Sequence, residues 1–84
     1  MSESIEELKC LKIVTRCLKE LSTSNQKHRL SLLYQLSKQM ERFCTLLADQ
    51  VTNRHASREL FKLAEEFEEI AKIFKVLNKV KKSE

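Results

Sequence analysis

The chain has 84 residues, 42% of them hydrophobic, with no glycine, no proline and a formal charge of +4. Glycine supplies positive-φ turns and proline breaks helices, so the absence of both argues against a β-rich or loop-rich fold. It also excludes glycine-cradled phosphate sites and nucleophile elbows. A chain of this size buries only roughly 60–65% of its unfolded surface, and its mild positive charge falls short of a dense nucleic-acid-binding arm. The expectation is one all-α domain over residues 1–84: three helices joined by short polar turns, and therefore an antiparallel up-down-up bundle.

Helix one is expected from about Ser4 to Leu21. Ser4 and Glu7 have the spacing of a capping box, in which each side chain satisfies an orphan amide of the first turn. Leu8, Leu11, Val14, Leu18 and Leu21 recur at spacings of three and four and form the expected seam. Cys10, Ile13 and Cys17 widen it to an apolar arc of roughly 200°, more than one neighbouring helix needs. Ser22-Thr23-Ser24-Asn25 is the first turn, and any of these four side chains can cap the next helix.

Helix two is expected from about Gln26 to Val51, with a seam of Leu33, Leu36, Met40, Phe43 and Leu47 flanked by Leu30, Cys44 and Val51. The heptad then slips near Thr52–Ala56, which places a second turn there. Helix three is expected from about Ser57 to Val80, with its seam at Leu60, Leu63, Phe67, Ile70, Phe74 and Leu77. Ala64 and Ala71 lie beside that seam and allow a neighbouring helix to approach closely. Glu68 and Lys72 have the spacing of a favourable i,i+4 pair.

Little in the chain points to catalysis, and it is expected not to be an enzyme. Asp49, His55 and Ser57 are the residue types of a hydrolytic triad, but helical spacing does not gather them and no glycine turn offers oxyanion donors. His28 is the only other histidine. A metal site is not expected either. Cys10 and Cys17 share a helix face, but neither histidine is placed to join them and no CxxC occurs. Their Cα atoms would be about 10.5 Å apart along one helix, beyond the ~7 Å reach of a disulfide. Together with Cys44 they fit free, buried thiols in a reducing compartment. No cofactor is implied. The acidic, amphipathic start does not resemble a signal peptide and no apolar run is long enough to span a bilayer, so an intracellular protein, cytoplasmic or nuclear, is expected.

Two surface features remain. Lys9, Lys12, Arg16 and Lys19 form a cationic stripe opposite the apolar arc of helix one, and Arg54, His55 and Arg58 cluster at the second turn. Such groups can contact phosphates, although no aromatic residue interleaves to stack on bases. The other feature is surplus apolar surface. Ile73, Val76 and Val80 lie off the helix-three seam, and Leu32, Leu46 and Phe61 stand outside the seams of their helices. Helix one, the shortest, is expected to stop short of the second turn and leave Leu46 and Phe61 poorly covered. Surplus apolar surface on so small a bundle implies an interface. The expected function is therefore a non-catalytic protein–protein interaction module, a small adaptor, regulatory or complex-assembly subunit that binds another protein or itself through apolar helix faces. The alternative is a small nucleic-acid-binding factor using the basic face of helix one and the Arg54–Arg58 turn.

Overall fold

The computed structural model describes residues 3–83, with side chains described from residue 5 to residue 80. Three α-helices follow one another: α1 over Glu3–Leu21, α2 over Gln26–Gln50 and α3 over Arg54–Ser83. They form the expected three-helix bundle. The capping box at Ser4 involves a side chain outside those described.

Both turns are made without a left-handed residue, since no described residue has a positive φ. In the first, the hydroxyls of Ser22, Thr23 and Ser24 donate to the carbonyls of Lys19, Glu20 and Leu21 at 2.7, 3.4 and 3.4 Å, covering acceptors that the end of α1 leaves open. Asn25 then caps α2, its Oδ1 accepting from the amide of His28 at 2.9 Å. The second turn is tighter than the sequence pattern suggested. Asn53 Oδ1 accepts from the Ala56 amide at 3.0 Å and the Asn53 carbonyl accepts from the Ser57 amide at 2.9 Å, so α3 begins at Arg54 rather than Ser57. Val51 is already extended, so α2 ends one residue early. The Ser57 hydroxyl donates to the Ala48 carbonyl at 2.9 Å and fastens the start of α3 to the end of α2.

The helices are held together through α2. Along one side of it, Glu20 lies 4.0 Å from His28, Cys17 Sγ donates to Gln35 Oε1 at 3.9 Å, and Glu6 meets Arg42 at 2.7 Å. Glu7 bonds to Gln50 beyond them. α1 thus runs antiparallel along α2 as far as its last turn, which corrects the expectation that helix one stops short. α3 packs along another side of α2. Among the described residues no Cα of α1 comes within 8 Å of one in α3.

The buried lines between helices are made of small residues. They are Cys10 and Cys17 on α1, Ser37, Cys44 and Ala48 on α2, and Ala64 and Ala71 on α3; Leu32, expected outside the seam as surplus surface, is instead the only large side chain among them. Ser37, the one buried polar residue here, bonds back to the Leu33 carbonyl at 2.9 Å. Cys17 is 0% exposed, whereas Leu8 and Leu18, placed in the seam from sequence, are 53% and 54% exposed. The same correction applies to α3, where Leu63, Ile70 and Leu77 are exposed and Ala64 and Ala71 lie against α2. On α2, Leu33, Leu36, Met40, Phe43 and Leu47 are all only half-buried. Close interaxial packing needs small side chains on the line of contact, which leaves the larger ones beside it.

Helical geometry turns these lines into a layer. At 100° per residue, the α2 positions against α1 (Leu32, Gln35, Gln39, Arg42) lie roughly 160–180° from those against α3 (Ser37, Cys44, Ala48). The three helices therefore stand side by side with α2 in the middle. The extents are 48 × 23 × 17 Å; 23 Å accommodates three axes in a row at spacings of about 9 Å, while 17 Å, well above the roughly 5 Å depth of a flat row of helices, means that the row is strongly twisted. The radius of gyration is 14.5 Å against about 12 Å for a compact chain of this length.

Candidate interaction surface

A layer has two broad sides, and the helical wheels assign them opposite chemistry. On α2, the Leu33–Leu47 stripe lies on one side between the α1 and α3 contacts; Ser31, Lys38, Thr45 and Asp49 lie on the other. α1 and α3 both run antiparallel to α2, which fixes the sense in which their faces turn. On α1, moving about 80–100° round from Cys10 and Cys17 reaches Leu11 and Leu18 on the side of Leu36 and Met40. On α3 a similar rotation from Ala64 and Ala71 brings Leu63, Ile70 and Leu77 to that same side. Phe67 and Phe74, half-buried, lie between. Large apolar residues of all three helices thus share one open side.

The opposite side is polar and internally paired. Arg42 pairs with Glu6 at 2.7 Å and Lys38 with Glu41 at 3.0 Å. The contact with Glu41 holds the Lys38 ammonium pKa above its ordinary value, with a smaller contribution from Glu68 on α3. Lys72 lies 3.6 Å from Glu68, the expected i,i+4 pair; a further pair, Lys62 with Glu59 at 3.5 Å, lies instead at the margin of the open side, since Glu59 shares the helical position of Leu77. These are exposed pairs and contribute little stability.

The residues singled out for an interface do not form one patch. Ile73 and Val76 are 57% and 59% exposed, and with Val80 they continue from Leu77 round the outer edge of α3. Lys72, Ile73, Val76 and Leu77 line a shallow concavity there. Phe61 is exposed but turns toward the polar side, and Leu46 is half-buried toward α1. Leu11, Leu36, Met40, Ile70 and Leu77 were read from sequence as core and form the open side instead. The signal that separates them is the heptad of small residues beside each seam.

The cationic residues are all exposed, but Lys9, Lys12, Arg16 and Lys19 lie on α1 whereas Arg54 and Arg58 lie on α3. Among the described residues no Cα of α1 lies within 8 Å of one in α3, and Lys9 is drawn to Glu6 at 3.8 Å. The two groups do not converge on one surface.

All three cysteines are free thiols. Burial raises the pKa of each, with a smaller opposing pull from Arg42 on Cys10 and from Arg16 on Cys17. Thiols held protonated in this way act as small hydrophobes. The Ser57 hydroxyl is committed to the Ala48 carbonyl and His55 is exposed. Among the described residues no three His, Cys, Asp or Glu side chains gather as metal ligands, and no helix is long and apolar enough to cross a membrane. Comparison with protein-family models, with curated proteins and with solved structures finds no match for this chain.

Proposed function

We propose that this chain is a non-catalytic protein–protein interaction module, a small adaptor, regulatory or complex-assembly subunit, whose docking surface is the open apolar side of the helical layer. One observation supports this most directly: the large apolar side chains of α1, α2 and α3 lie on the same side, away from the small-residue lines that hold the helices together. Contiguous apolar surface of this breadth is uncommon on soluble monomers and is covered by association when a partner is present. Site-specific photocrosslinking in cells expressing the chain tests the idea. A photoreactive residue at Ile70 should give a defined adduct with protein, and one at Lys38, on the polar side, should not. No adduct from Ile70, or equal adducts from both, contradicts it. Apolar docking also persists at high salt. A nucleic-acid-binding factor using the α1 stripe would instead lose affinity steeply with salt, and would lose it altogether in a Lys12→Glu/Arg16→Glu variant.

A further inference from the structure

We infer that the occupant of the open side is a second copy of this chain, stacked layer on layer as an isologous dimer. This rests on the open side being a docking surface and adds the identity of what docks. The first reason is breadth. Three apolar stripes lie across a layer 23 Å wide, whereas a single helix is about 10 Å across with its side chains. One partner helix would cover the groove over α2 and leave an outer stripe bare. A layer of equal width covers all three.

The second reason is area. The chain exposes 6368 Å², against roughly 5,200 Å² for a compact monomer of its 9.9 kDa mass. The excess of roughly 1,200 Å², to which the elongated shape also contributes, leaves room for the ~800 Å² per partner that a standard stable interface buries. The third reason is charge. The outer margin of α1 carries Lys12 and Lys19, and the outer margin of α3 carries Glu59, Glu66 and Glu69 with Lys62 among them, a net negative edge. A two-fold axis parallel to the helices lays α1 of one copy along α3 of the other, so the opposite charges meet at both rims. Rim charges of this kind set register and orientation more than affinity. The same axis stacks α2 on α2 and brings the two Met40 side chains to the centre of the contact.

The test is sedimentation equilibrium on the full chain from micromolar to millimolar concentration, with circular dichroism as the control on folding. The wild-type chain should sediment as a dimer that persists at high salt. Ile70→Glu and Leu77→Glu should each weaken dimerisation roughly thirtyfold or more, as truncation of an interface anchor does, with helicity retained. Phe61→Glu removes an exposed aromatic from the polar side and should leave the dimer unchanged. In a mixture of methyl-labelled and unlabelled chains, the Met40 methyl should show intermolecular NOEs. A monomer at every concentration overturns the proposal. So does a dimer that ignores both open-side variants, or one without Met40 contacts between copies. A monomeric chain that still gives an Ile70 adduct with another protein leaves the interaction module standing and removes only the second copy. Failure of both removes the docking surface itself.

Discussion

The α2–α3 contact and the open side beside it are built on heptads of the same two helices, yet they differ in side-chain size. In the contact, Ser37, Cys44 and Ala48 oppose a line containing Ala64 and Ala71, all buried. On the open side, Leu36 and Met40 stand beside Ile70 and Leu77, half-buried or exposed. Small side chains close the contact because helix axes approach to 8–10 Å only when nothing large stands between them. Apolar character alone therefore does not mark the interior of this bundle. Side-chain size decides which apolar line is spent within the chain and which is left for a partner.

The largest expected effect is at the one large side chain inside the buried lines. Leu32→Ala should destabilise the fold by about 2–5 kcal/mol in chemical denaturation, through lost transfer energy and a cavity. A loss under ~1 kcal/mol, the size expected of a surface position, would mean that Leu32 is not enclosed between α1 and α2.

Enlarging a small residue sharpens the comparison. Ala71→Leu should cost about 1–3 kcal/mol by forcing α3 away from α2, at any protein concentration. Leu77→Gln, nearly two helical turns further along α3, should change the stability of the dilute chain by only about 0.5 kcal/mol. Its effect should grow with concentration, because it acts on association rather than on the fold. Equal, concentration-independent losses from the two variants would erase the distinction between contact and open side.

Caps give a smaller effect. Asn53→Ala removes the side chain that starts α3 and should cost about 1 kcal/mol. A cost near zero would show that the Ser57–Ala48 bond alone fixes the second turn.

The thiols give a pH dependence of defined sign. Burial raises the pKa of Cys10, Cys17 and Cys44 above the 9.0 of a free thiol. At alkaline pH the unfolded chain therefore loses these protons first, and the native state holds more protons than the unfolded one. Stability is then fully present below about pH 9 and falls as pH rises through the native thiol values. Unfolding followed from neutral to alkaline pH should show this decline, and a Cys10→Ala/Cys17→Ala variant should show less of it. An unchanged slope in that variant would place the decline elsewhere.

The helices themselves were legible in the sequence. Their number, the two turns and the antiparallel order follow from the lack of glycine and proline and from polar clusters such as Ser22–Asn25. What the pattern did not resolve was which edge of a wide apolar arc faces inward. On α1 the line Leu8–Leu11–Leu18 and the line Cys10–Cys17 both repeat at helical spacing, about 80–100° apart. Hydrophobicity favours the leucines, while close packing favours the cysteines. Ala64 and Ala71 carried the same signal on α3, where their use as an approach line was visible but the neighbouring Leu63–Ile70–Leu77 stripe was still placed in the core. The start of α3 was missed because Asn53 was read as part of a longer turn and not as a cap. The open side could not be seen from any one helix, since it depends on α1 and α3 lying on opposite sides of α2.

That last arrangement is the centre of the whole description, and the distance between α1 and α3 measures it. Spin labels carried on unnatural ketone side chains at Lys12 and Glu69 leave the native thiols untouched, and dilution with unlabelled chain restricts the signal to pairs within one molecule. With α2 between them, the two helix axes should be about 16–20 Å apart, two successive packing distances, and the outward-pointing labels farther apart by about 5 Å or more at each end. An α1–α3 separation of about 8–10 Å, the spacing of helices in direct contact, would mean a closed bundle with its large side chains inside, and would contradict the open apolar side.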